Sequence, residues 1–209
     1  ITNEYDSFKQ SSDQLALQLD AQGFSAIKVY AAASEKDNLA HTQKITQSLN
    51  EGQLLVHFLG HGGRFIWQTG PPDLHKNHEL FTLDDVSALK NGGRLPMVLA
   101  MTCFSAPFDN PTEDSIGERF LREPDKGAIA VFAASWRNSP DAEYSKRLIA
   151  ELLKPGISIG EAIINGKRTM QDRTLVETYN LLGDPAIVLE RPREAIKLMR
   201  ESDPWETRV

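Results

Sequence analysis

Three apolar runs, each short and each giving way to small or polar residues, limit what this chain can fold into. They are LLVHFLG (54–60), LPMVLAMT (95–102) and GAIAVFAAS (127–135). Apolar residues follow one another almost without a break in each run, so neither face of the segment can meet water. Strands buried on both faces belong to parallel sheets covered by helices on each side. The intervening segments supply those helices. SSDQLALQLD (11–20) reads as a helix ended by Gly23, and LAHTQKITQSLN (39–50) as one ended by Gly52. TLDDVSAL (82–89) opens with Thr82 three residues before Asp85, a cap signal. DSIGERFLR (114–122) is a short helix. Ser139-Pro140 starts another, with Tyr144, Leu148 and Leu152 on one face, and Pro155-Gly156 stops it. Ser158 and Glu161 form a capping box for a helix over 158–171. FSAIKVY (24–30) and PAIVLE (185–190) read as a further and a last strand. The expected architecture is α/β with a mainly parallel sheet, in one domain over residues 1–192. A charged tail, 193–209, lies outside it.

Right-handed βαβ units place the carboxyl ends of parallel strands on one rim, where ligands bind in such folds. His61-Gly62 follows the first run, Thr102-Cys103 the second, and Ser135-Trp136-Arg137 the third. All three segments are therefore expected side by side.

Composition narrows the chemistry. Of 209 residues, 40% are hydrophobic and 25% charged, a globular mixture. The net charge of −6 argues against nucleic acid, which asks for a basic face. No apolar run nears the ~20 residues that span a bilayer, so no membrane segment is expected. A single cysteine excludes an internal disulfide and a cysteine-rich zinc site. There is no G-x-S-x-G, no Walker A loop and no H-E-x-x-H. His57 and His61 are four apart, but one is in a strand and the other in a loop, so helical ligand spacing does not apply. A zinc site using His61 and Cys103 would need a third ligand that the sequence does not name. The chain begins at Ile1 without a signal-like segment, as a fragment or mature form would.

A histidine and a lone cysteine on neighbouring strand ends suit a thiol nucleophile with its base. The glycine after His61 lets the backbone approach, so that N–H groups of Gly62 and Cys103 could receive an oxyanion. Taken singly, Cys103 could equally be a buried strand-end thiol and His61 a turn residue. Their shared rim favours the functional reading. No cofactor is required for it.

LLVHFLGHGG followed some forty residues later by MVLAMTC resembles the caspase-like clan of cysteine peptidases. This clan includes caspases, legumains, separases, clostripain and gingipains. The further segments DSIGERFL, GAIAVFAAS, SIGEAI and YNLLGDPAIVL make the gingipain family the nearest likeness, over about residues 40–190. The resemblance implies a caspase-like α/β/α sandwich and peptide-bond hydrolysis, with His61 as base and acid, Cys103 as nucleophile, and Gly62 and Cys103 as oxyanion donors. It implies a protein or peptide substrate. Gingipains also carry a preceding strand and subdomain, which this sequence is expected to lack, either because processing removes them or because they belong to another chain or a larger assembly. An acidic residue orients the histidine in some members; no position here matches it. Export to the periplasm or outside the cell follows from the resemblance to gingipains, whereas other clan members work in the cytosol. Structural calcium occurs in gingipains, but Asp184 in LLGDP is one carboxylate, and calcium needs six to eight oxygens. Asp184-Pro185 reads first as a turn.

A non-catalytic interaction or scaffold domain on the same fold is the alternative to an enzyme, and within the peptidase reading two specificities are open, with a slight lean to acidic residues. SWRNS (135–139) is similar to the Ser-Trp-Arg that caspases carry after the same strand, whose arginine binds the substrate aspartate. Arg137 could do this here as a planar, bidentate partner, unless it pairs with Asp141. The glutamine that caspases hold two residues before the nucleophile is Met101. Gingipains prefer Arg or Lys, which needs an acidic pocket; Asp73, Asp109 and Asp141 are the candidates. The long segment between Trp67 and Phe81, with Pro71-Pro72, is expected to be a lid or a cleavage site.

Overall fold

The computed structural model describes residues 1–2, 5–31, 37–68 and 79–190. Helices and strands alternate as α1 (Asp6–Asp20), α2 (Leu39–Glu51), β1 (Leu55–Leu59), β2 (Ile66–Gln68), β3 (Glu79–Thr82), α3 (Leu83–Ser87), β4 (Met97–Met101), α4 (Ile116–Arg122), β5 (Ala130–Ala134), α5 (Ala142–Leu152), α6 (Ile159–Arg168), α7 (Arg173–Thr178) and β6 (Tyr179–Gly183). The main sheet has the order β1-β4-β5-β6. The three apolar runs form its parallel part: Leu55–Leu59 pairs with Met97–Met101, and Met97–Ala100 pairs with Ala130–Ala133.

Side chains leave a strand alternately to opposite faces, and here both faces are filled. Val98, Ala100, Val131 and Ala133 join Ile45, Leu49, Val86 and Phe120 on one side. Met97, Leu99, Met101, Ala130, Phe132 and Ala134 join Leu15, Tyr144, Leu148, Ile149 and Ile163 on the other. The result is an α/β/α sandwich, with α2, α3 and α4 on one face and α1, α5 and α6 on the other. An aromatic stack of Phe58, Trp67, Phe81 and Phe120 fixes the β2–β3 ribbon against the first core.

Several caps match the sequence pattern. Thr82 with Asp85, and Ser158 with Glu161, each form a reciprocal capping box. Ser115 with Glu118 forms a third. Other expectations need correction. The helix expected to start at Ser139-Pro140 is capped by Asp141, whose carboxylate accepts from the Tyr144 N–H at 2.6 Å. Among the described residues, 24–30 supply a single bridge, Tyr30 to Thr2. The last strand is not 185–190 but Tyr179–Gly183, antiparallel to β5. Residues 185–190 instead lie against α6, with Gly160 N–H donating to Pro185 O at 2.9 Å and Ile159 N–H to Ile187 O at 2.8 Å. The segments SIGEAI and LLGDP thus meet each other, at the rim away from Cys103. The Asp184 side chain accepts from Ala186 N–H at 2.8 Å, an ordinary turn.

Thr2 pairs with Tyr30 on one side and Leu59 on the other. Beside it, Ile1, Leu15, Leu19, Phe24, Val29 and Leu55 border a cavity of about 180 Å³. The 193–209 tail, Pro71-Pro72, Asp73, His75 and His78 fall outside the described residues. No helix among the described residues is long and apolar enough to cross a membrane.

Candidate functional site

β1, β4 and β5 end together, and the chain turns sharply after each. At the end of β4, Cys103 is half-buried, and its thiol donates to the carbonyl of Gly62 at 3.2 Å. The two strand ends expected to share a rim are therefore in direct contact. The closeness depends on a missing side chain. A Cβ on Gly62 would lie 2.7 Å from Thr102 Oγ1 and 3.1 Å from Ile66 O. Gly62 is glycine for close approach, not for an unusual φ.

The residue after the thiol carries strain. Phe104 adopts φ 51°, in the left-handed region that a bulky residue enters only at a cost of about 1–2 kcal/mol. Three contacts hold it there. Its N–H donates to Trp136 O at 3.1 Å. Its ring meets the Trp136 ring edge-on at 5.8 Å. The Arg64 guanidinium sits over it, 5.1 Å from the centroid. Ala106 N–H then donates to Ala134 O at 2.9 Å.

His61 is exposed, and its ring is met edge-to-face by Tyr5 at 5.2 Å and by Phe8 at 5.7 Å. His57 has a different fate. It points to the α5 face of the sheet, where Nε2 meets Ser145 Oγ at 3.1 Å. Burial pushes its pKa down to about 3, so it is a neutral structural histidine.

Beyond β5 the three expected binding residues divide. Ser135 is occupied: its hydroxyl donates to Thr178 O at 3.1 Å and accepts from Asn180 Nδ2 at 2.9 Å. Trp136 is 59% exposed, beside Phe104. Arg137 is exposed and makes no ion pair among the described residues; Asp141 is the α5 cap and not its partner. Asp109 is engaged by Arg64, whose guanidinium holds that carboxyl below the usual carboxylate range. No group of three or more His, Cys, Asp or Glu that could hold a metal occurs among the described residues.

Tyr5, Phe8, Arg64 and Phe104 escaped the sequence reading. Arg64 stands just after HGG and Phe104 just after the cysteine, so adjacency could have flagged both. Nothing local marks Tyr5 and Phe8, more than fifty residues away from His61.

Comparison with known proteins gives the same architecture. The model of peptidase family C25 matches residues 2–190. Among solved structures, the Arg-specific cysteine proteinase gingipain R (RgpB) aligns with a TM-score of 0.69 at 20% identity, over 86% of this chain and 42% of that one. The complex of Porphyromonas gingivalis RgpB pro- and mature domains aligns at 0.71 and 21%, over 86% and 43%. A further structure, described only as a protease, aligns at 0.59 and 18%, over 69% and 37%. The chain spans less than half the length of each. No curated protein matches it.

Proposed function

We propose, for a chain that belongs to peptidase family C25, an endopeptidase reaction carried by Cys103 and His61. The observation that carries this reading is the contact of the Cys103 thiol with the Gly62 carbonyl at 3.2 Å, one residue from His61. The thiol proton passes to the His61 imidazole. The sulfur attacks the scissile carbonyl carbon, and the carbonyl electron pair moves to oxygen. N–H groups of Cys103 and Gly62 stabilise that oxyanion; a donor of this kind typically contributes about 3 kcal/mol in the transition state. The intermediate collapses to a thioester as His61 protonates the departing amine. Water then attacks, His61 takes its proton, and Cys103 leaves with it. The chemistry draws on no cofactor.

On specificity, the reading is cleavage after an acidic residue, read by Arg137, with Trp136 walling the pocket and Ser135 tying the turn to β6. Two observations support it. Arg137 is exposed and makes no ion pair among the described residues. Of the acids that could build a basic-specific pocket, Asp109 is neutralised by Arg64 and Asp141 caps α5; Asp73 lies outside the described residues. The alternative is cleavage after arginine, the specificity named for gingipain R.

The test is a peptide-library digest read by mass spectrometry, with Cys103→Ala as control. Cuts after Asp or Glu, seen only with the wild type, are expected. Cuts after Arg or Lys would overturn the role of Arg137. Joined rather than hydrolysed products would mean a ligase using the same pair.

A further inference from the structure

A general base on a loop must be held. A free His61 side chain would swing through several rotamers, and few of them would face the sulfur. Two aromatic rings meet the imidazole here. Tyr5 is 5.2 Å from it at 75°, and Phe8 is 5.7 Å from it at 68°. Tyr5 and Phe8 also meet each other, at 5.8 Å and 72°. The three rings form a closed triangle in which each pair is edge-to-face, the arrangement that the ring quadrupoles favour. Both aromatic residues are anchored independently of His61. Thr2 is pinned into the sheet beside Leu59, and Tyr5 stands at the N-cap of α1, with its carbonyl receiving the N–H groups of Phe8 and Lys9. The start of α1 is thus built against the end of β1.

We propose that Tyr5 and Phe8 are positioning residues that fix the His61 imidazole for proton exchange with Cys103. The inference rests on the reading of His61 as the base. The rings do not touch the reacting atoms. They act by removing the rotamers in which the base is out of reach, so their loss lowers kcat and leaves KM in place.

The test compares Tyr5→Leu and Phe8→Leu with the ring-retaining Tyr5→Phe and Phe8→Tyr. The substrate is a peptide that the library digest shows to be cut. Roughly tenfold or greater loss of kcat is expected for each leucine variant, at unchanged KM and with a near-native melting temperature. The ring-retaining variants should keep wild-type kcat. A second reading needs no turnover. The His61 ring protons, observed by NMR in Cys103→Ala and assigned by their loss in His61→Gln, should carry the ring-current shift of two neighbouring aromatics. That shift should collapse in the leucine variants alone. Full activity in Tyr5→Leu and Phe8→Leu, or a His61 resonance that ignores them, overturns the clamp. If the wild type cuts nothing, the peptidase reading itself falls and takes the clamp with it; an active wild type with active leucine variants removes the clamp only.

Discussion

At Gly62 there is space for a hydrogen and for nothing larger. Alanine there would push its methyl against Thr102 Oγ1, 2.7 Å away, and separate the two strand ends that the thiol contact joins. Gly62→Ala is expected to lower kcat/KM by a factor on the order of a hundred, since misplacement by about an ångström costs that much. Steady-state kinetics beside a melting curve will show whether activity falls further than stability. Arg137 offers a prediction of opposite kind, about choice and not rate. Hydrogen bonds to charged groups contribute about 1.5–3 kcal/mol, so Arg137→Ala should lose about 10- to 100-fold for peptides with Asp before the cut. Peptides that vary only at that position supply the measurement, and an unchanged Asp preference would refute the assignment. His57 is the third residue with a measurable signature. Its pKa is pushed from the ordinary 6.5 to about 3. The folded state therefore prefers neutral imidazole, while the unfolded chain takes up a proton as pH drops below 6.5. Stability should fall as pH goes from about 6.5 towards 3, by up to about 1.4 kcal/mol per unit. Urea unfolding across that window should show the slope, and His57→Leu should flatten it.

Among the elements, the join between α4 and β5 is the least tolerant. Gly127 sits at φ 94°, and a Cβ on it would lie 2.0 Å from Phe120 O. The same glycine exchanges two hydrogen bonds with the Asn91 side chain, at 2.8 and 2.9 Å. Gly127→Ala should cost about 3 kcal/mol in a urea titration, combining backbone strain with a clash against rigid main chain. The elements also show what sequence can and cannot convey. β1, β4 and β5 were legible because burial on both faces leaves a continuous apolar run, and α3 and α6 because a capping box is a local chemical signal. YNLLG forms a strand that its pattern does not announce, and PAIVLE, whose pattern predicts a strand, forms none. An edge strand that is half-buried and antiparallel lacks the continuous run, whereas PAIVLE is apolar because it packs on α6 without entering the sheet. At the candidate site, the meeting of the Gly62 and Cys103 strand ends could be anticipated because strand ends and a βα rule are sequential facts. The rings around His61 could not, because their contact exists only after the first turn of α1 folds over the end of β1.

For the molecule as a whole, the candidate site and the latch on α6 lie at opposite rims of the sheet. Cys103, Gly62 and Trp136 gather where the parallel strands end. At the other rim, α6 is latched to the segment after β6, with Gly160 so close to Pro185 that a Cβ would lie 2.8 Å from the proline Cβ. Gly160→Val should pry this latch open. A loss of about 2 kcal/mol would lower Tm by roughly 4–8 °C in a domain of this size, while kcat and KM at low temperature stay at wild-type values. A fall in kcat without a fall in Tm would mean that the two rims are coupled.

Cys103 is half-exposed at its strand end and is the only sulfur nucleophile in 209 residues. A sulfenic acid formed on it by peroxide would find no resolving thiol among these 209 residues. Its repair depends on small thiols from the surroundings, arriving before a second oxidant carries the sulfur to the irreversible sulfinic state.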